Sequence, residues 1–376
     1  MKKSRILGSA AVLALMSASV ASAAEYRVIV LQSLTGPAAF IGAAFADGAR
    51  LAEAQINASG VLGAGNTLSV EYADDATDRT QTMSLIARYA ADPSVLAILG
   101  PTSGAVAVAG AASANEMQVP VMTTSNTMDV LHAGPWSFIL TQPPQVTIPY
   151  IADYAAQVAG VENCTLIGIR ENEAYVTLQN TFEESLRAQG VNIVGVEQIG
   201  IQDSDFAALS TKVASQDQDC VFVSAPASQA ANVIVQLRQA GLDPEVRIFG
   251  HNSLASPQFV ERGGAAVEGV TFIADWVPGG YDDNSRAFDA AFTTQFGRAP
   301  DNWNAIGFGG LTIMADALSR AGDAPTRESM RDALAATSGV AVPAGQGLYA
   351  LDAERVPRVG MSVLTVQGGA FVLAPR

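Results

Sequence analysis

The sequence predicts an α/β protein built from two doubly wound parallel-sheet lobes. Strand-like and helix-like segments alternate along nearly the whole chain, the pattern of a parallel sheet covered on both faces. The alternation restarts with a new first strand after Pro143-Pro144. A length of about 350 residues beyond an N-terminal leader exceeds one ordinary domain and suits two.

The leader reads as a secretory signal. Lys2, Lys3 and Arg5 form a basic n-region, Ile6 to Val20 is apolar and small, and Ala21-Ser22-Ala23 has the form of a cleavage site. The apolar run is too short to span a bilayer. No cysteine lies near the cleavage site to carry a lipid, and no later stretch has the length of an apolar span. A soluble product outside the cytoplasm, starting at Ala24, is expected.

In the first unit, "YRVIVLQ" (Tyr26 to Gln32) is a strand and Gly42 to Ala58 has helical spacing. "TLSVEYAD" is the second strand and Arg79 to Ala91 the next helix. "VLAIL" precedes a helix from Ala105 to Met117, and "VPVMTT" follows it. After "PWSFIL" the second unit opens with "CTLIGI", a helix from Tyr175 to Gln189 and the strand "VNIVGVEQI". A helix near Phe206 to Ser215, "CVFVSA", a helix from Ser228 to Ala240, "VRIFG" and "GVTFIA" complete it. The remainder is mostly helical, Arg286 to Phe296 and Trp303 to Ala321, with late strands near Gly347 to Ala350 and Met361 to Val366. Short connections at Gln142 to Gln145 and Asp275 to Gly280 join the units.

Charge and residue counts exclude several functions. Without Lys2, Lys3 and Arg5 the chain has 18 Lys+Arg against 36 Asp+Glu, a net charge of −18. No basic surface exists to displace counterions, so nucleic acid is not a partner. Two histidines, His132 and His251, and two cysteines, Cys164 and Cys220, support no metal site, and no cofactor motif occurs. The cysteines open the first and third strands of the second unit. In a sheet of order 2-1-3 those strands are neighbours about 4.8 Å apart, which makes a disulfide the expected state in an oxidising compartment. Two buried thiols are the alternative.

Candidate binding residues gather where strands end. Thr102, Ser103 and Gly104 follow the Gly-Pro that ends "VLAIL", just before a helix. They read either as a helix cap or as an anion site made of hydroxyls and free amides. Ser125, Asn126 and Thr127 end the next strand. Ligands of doubly wound folds sit outside the carboxyl ends of the strands, and both hydroxyl-rich ends open there, which favours the anion site. Phe40 and Tyr175 follow the first strands of the two units and can face each other across a cleft, or each can pack on its own helix. Trp303 begins a helix after Ala299-Pro300 as a third wall or a core anchor.

"LTGPAAFIGAAFADGARLAEAQIN", "DDATDRTQT", "ILGPTSG" and "VPVMTTSNT", in this order behind a signal peptide, resemble the periplasmic leucine/isoleucine/valine-type binding proteins. These are the type I solute-binding proteins of ABC importers, and the resemblance covers nearly the whole mature chain. It implies two lobes on hinge strands that close around a ligand and dock on an inner-membrane ABC permease, as a monomer without enzymatic activity. The implied division is a leader over 1–23, lobe 1 over 24–142, lobe 2 over 143–275, a return to lobe 1 over 276–356 and to lobe 2 over 357–376. The ligand carboxylate falls to Ser103, with Thr102 or Gly104 as register alternatives because the segment is one residue short. Ser125 and Thr127 contact carboxylate and ammonium, while Phe40, Tyr175 and Trp303 map to the aromatic positions. Where amino-acid binders place an acid for the α-ammonium, this chain has Asn252, and a second-lobe aromatic is replaced by Ala225-Pro226. A buried ammonium without a counter-charge costs several kcal/mol, so an apolar or aromatic carboxylate fits better than leucine. Glu171 or Glu173 beside Tyr175 could restore the missing charge.

A ligand-sensing receptor with the same clamshell is the alternative function. A secreted α/β hydrolase is disfavoured, because Pro101 stands where a G-x-S-x-G elbow around Ser103 needs its first glycine.

Overall fold

In the computed structural model the described residues are 23–102 and 104–375. The leader before Ala23, and Ser103, lie outside the described residues.

The strand Glu25–Gln32 (β1) runs through the middle of the first sheet, and Val28 to Leu31 are fully buried because helices cover both faces. Helix Ala39–Ser59 (α1) leads to Thr67–Asp74 (β2), Arg79–Ala90 (α2) to Val95–Leu99 (β3), and Gly104–Glu116 (α3) to Val121–Thr123 (β4). A short helix, Asp129–His132 (α4), precedes Ser137–Ile139 (β5). The order is β2-β1-β3-β4-β5, with every pair parallel.

The second sheet begins after Pro144–Asp153 (α5), which sequence patterning read as part of a connection. Pro143-Pro144 starts this helix, since proline suits the first helical positions where its missing N–H is no loss. Then come Asn163–Ile169 (β6), Glu173–Ala188 (α6), Asn192–Ile199 (β7), Ala207–Ala214 (α7), Cys220–Ser224 (β8), Ala227–Gln239 (α8) and Arg247–Gly250 (β9). Pro257–Gly263 (α9) and Thr271–Ala274 (β10) follow. Cys164 and Cys220 are register partners on β6 and β8 and form a disulfide in a core that excludes water from both.

The chain next returns to the first sheet. Asp283–Phe296 (α10), Asn302–Arg320 (α11) and Arg327–Ala335 (α12) lead to a small antiparallel sheet of Val340–Ala341 (β11), Leu348–Leu351 (β12) and Pro357–Arg358 (β13). Met314 of α11 and Leu334 of α12 share one core with Phe45 of α1 and Leu99 of β3. Helices α1 and α11 touch backbone to backbone. A Cβ on Gly307 would lie 2.1 Å from the Phe45 carbonyl oxygen, and one on Gly48 would lie 2.0 Å from that of Asn304. The last strands, Ser362–Gln367 (β14) and Ala370–Leu373 (β15), complete the second sheet, β15-β14-β10-β9-β8-β6-β7. Both are antiparallel additions at its edge, and β15 has no counterpart in the sequence expectation.

Three crossovers therefore connect the sheets, near Gln142, Asp275 and Gly360, and they are bonded together. The Gln142 side chain accepts from Val359 N–H and donates to the Gly360 carbonyl, both at 3.1 Å, while Gly345 N–H donates to the Asp275 carbonyl. No helix among the described residues is long and apolar enough to cross a membrane.

Candidate functional site

The strand ends of the first sheet form a polar ridge. Backbone groups there lose their ladder partners, and side chains replace them. The Thr102 hydroxyl, after β3, donates to Oε1 of Gln32, the last residue of β1, and accepts from Ser33 N–H at 3.3 Å. Ser33 donates to Asp75 Oδ1 at 2.6 Å. Thr124 donates to the Pro101 carbonyl at 3.1 Å, and Thr141 to the Thr124 carbonyl at 3.0 Å. Thr102 is thus buried with its hydroxyl committed to the scaffold. The "DDATD" stretch has a local task as well. Asp74 Oδ1 accepts from the N–H groups of Leu34, Thr35 and Ala76, fixing the loop before α1, and these bonds help hold its carboxyl below the usual range.

Ser125 differs from its neighbours. It is 7% exposed, and its Oγ accepts from Thr127 N–H at 3.4 Å but donates to no acceptor among the described residues. Opposite stands Gly104, the first residue of α3, where a Cβ would lie 3.8 Å from Ser125 Oγ. A hydroxyl with no acceptor among the described residues therefore meets the first turn of a 13-residue helix, whose first amides and dipole favour an anion. Thr127 is half-buried two residues on.

The aromatic positions differ from the loops expected for them. Phe40 lies in the first turn of α1 and is 71% exposed, because the helix begins directly after Pro37 and Ala38; it pairs with no ring among the described residues. Tyr175 lies in the first turn of α6, where Asn172 caps the helix by accepting from Ala174 N–H at 3.0 Å. Its ring packs against His251 with centroids 5.5 Å apart, and burial raises its phenol. Trp303 occupies the first turn of α11, behind the Asp301–Asn304 capping box, and is partly buried against the first-sheet core.

Asn252 follows β9, in a short 3₁₀ turn, and donates through Nδ2 to Asp275 Oδ2 at 3.3 Å. Neither glutamate named from the sequence reaches it. Glu171 pairs with Arg170 at 3.0 Å and accepts from Ile201 N–H at 3.1 Å, and Glu173 is exposed at the start of α6. The acid beside Asn252 is Asp275, after β10, which sequence reasoning placed only in a connection. Its signal was present, an acid closing the apolar run "VTFIA". Burial pushes the Asp275 carboxyl above the usual range, opposed by the bond from Asn252. Asp275 also lines a narrow cavity at the crossovers with Gln142, Gly309, Gly310, Tyr349 and Val359.

His251 is fully buried behind Tyr175, and its Nδ1 accepts from Ser253 N–H at 3.3 Å. Burial lowers its pKa from 6.5 to about 4. The unfolded chain takes up this proton first, so the neutral imidazole favours folding above the unfolded value, and that advantage is lost as pH falls from 6.5 through about 4. About 3 kcal/mol of stability should disappear over this window. His251→Gln should lack this component in urea unfolding across the same window. Parallel acid losses in the two proteins would contradict it.

A sequence profile described as "Periplasmic binding protein" matches residues 25–370. A Leu/Ile/Val-binding protein of Rhizobium johnstonii is 24% identical over 318 residues, 83% of each chain. A leucine-binding protein of Thermotoga maritima superposes with a TM-score of 0.79 at 22% identity, over 93% of this chain and 97% of that one. A solute-binding protein of Rhodopseudomonas palustris, solved with benzoate, gives 0.75 at 20% identity over 93% and 95%. The profile runs from β1 to the start of β15, across all three crossovers, and the chain belongs to the periplasmic binding protein family.

Proposed function

We propose that this chain is the extracytoplasmic solute-binding component of an ABC transporter, which holds a small carboxylate-bearing ligand in the inter-lobe cleft and delivers it to a membrane permease as a monomer. The observation that carries the reading is the Ser125 hydroxyl, which donates to no acceptor among the described residues and faces the first turn of α3. Leucine and benzoate, the ligands in its relatives' names, share only a carboxylate and an apolar body. Ser125, Thr127, the Gly104 amide and Ser103 form the carboxylate cradle of this proposal, and Thr102 braces it. Tyr175 and Asn252 contact the ligand from the second lobe, and Phe40 and Trp303 supply apolar walls. The ligand is bridged from both lobes only when they close, so binding favours the closed form. The range of ligands proposed covers amino acids and apolar or aromatic carboxylic acids.

Calorimetry against leucine, isoleucine, valine, benzoate and their oxo and hydroxy analogues tests the reading. At least one carboxylate should bind. Ser125→Ala should weaken it by about 1–3 kcal/mol, the worth of a hydrogen bond to a charged group, without loss of fold. Undiminished affinity in both Ser125→Ala and Thr127→Ala would remove the cradle, and no binding at all would remove the ligand class.

A further inference from the structure

We propose that Asp275 positions the Asn252 side-chain amide, so that its protonation state decides whether Asn252 offers the ligand an acceptor or a donor. This rests on the reading above that Asn252 contacts the ligand.

An ionised carboxylate only accepts, whereas an amide presents donors on one side and an acceptor on the other. The 3.3 Å contact to Asp275 Oδ2 therefore fixes Nδ2 toward the acid and leaves Oδ1 outward. Nothing described satisfies that oxygen. His251 Nδ1 is 3.5 Å away, but it accepts from Ser253 N–H and has no proton to give. In this state Asn252 offers an acceptor, suited to a ligand hydroxyl or ammonium. Protonated on Oδ2, the oxygen that faces Asn252, Asp275 has an O–H to donate there, and the amide satisfies it by turning over to present Oδ1. Nδ2 then points outward and suits a ligand carbonyl.

The surroundings leave this proton to Asp275 alone. The crossover cavity that Asp275 lines is also lined by Gln142 and Thr141, Gly309 and Gly310 of α11, Tyr349 and Val359, with no Lys or Arg among the described residues that line it. Burial keeps the Tyr349 phenol protonated, and His251 stays neutral above about pH 4. Burial without a cation moves the Asp275 carboxyl above the usual range.

The test uses two isosteric pairs, 2-hydroxyisocaproate with 2-oxoisocaproate and mandelate with phenylglyoxylate. All four are monoanions, so repulsion from ionised Asp275 cancels within a pair and the ratio reports only the amide. Titration calorimetry across the pH range in which the protein stays folded should show the preference for the hydroxy over the oxo acid rising about tenfold with pH as Asp275 ionises, one hydrogen bond exchanged for a clash of acceptors. In Asp275→Asn, whose own amide can donate or accept at any pH, the ratio should be flat. The Asn252 side-chain amide resonances of the wild-type protein should move over the same interval without ligand. A flat wild-type ratio, or a shift that survives in Asp275→Asn, overturns the inference while leaving the carboxylate cradle standing. If neither pair binds, and neither leucine nor benzoate does, the proposed function fails and this inference falls with it.

Discussion

Reducing the Cys164–Cys220 disulfide should lower the unfolding free energy by about 4 kcal/mol, the loop-closure entropy released when a loop of 56 residues is opened. The bond ties β6 to β8 at register partners, in the core packed between α5 and α6, so the loss belongs to the second lobe. Both sulfurs are fully buried, and the reduced thiols would pack as small apolar groups, so most of the effect arises in the unfolded chain. Urea unfolding with and without reductant measures it, with probes in each lobe because two lobes need not unfold together. Thiol titration of the unreduced, denatured protein should find no free thiol. Two titratable thiols and an unchanged midpoint would contradict the expectation.

Gly307→Ala should destabilise the first lobe by about 3 kcal/mol, the upper part of the range for inserting a methyl group into a packed core. The added Cβ would stand 2.1 Å from the Phe45 carbonyl oxygen, well inside contact distance. Main chain lies on both sides, so no side chain can rotate away and α11 must back off α1. Alanine's better helix propensity returns about 1 kcal/mol, too little to change the sign. Separating the helices would loosen Phe45, Leu311 and Met314, which cover the first sheet together. Calorimetric unfolding should show the first-lobe transition shifted to lower temperature, and an unshifted transition would mean that the helices can part without cost.

The lobe architecture was legible in the sequence because burial is written residue by residue. The strand "TLSVEYAD" was placed at its observed bounds, Thr67–Asp74, and α2 and α11 were placed to within a residue at either end. These are long segments whose apolar positions repeat at the period of their structure. The adjacency of Cys164 and Cys220 followed in the same way, since sheet order makes the first and third strands neighbours. The helix start at Glu173 was missed because Asn172 caps it two residues ahead of its apolar repeat, and α5 was missed because its proline pair read as a break.

The candidate site was legible only in outline. Sequence located the hydroxyls at the carboxyl ends of β3 and β4, because a strand ending is a local event. Only the tertiary structure committed Thr102 to Gln32, 70 residues away, left Ser125 with no acceptor among the described residues, and put Asp275 against Asn252 across 23 residues. Periodicity specifies which side chains are buried. It does not specify which loops meet where parallel strands end, and that meeting decides which polar group is satisfied by the protein and which is left for a ligand.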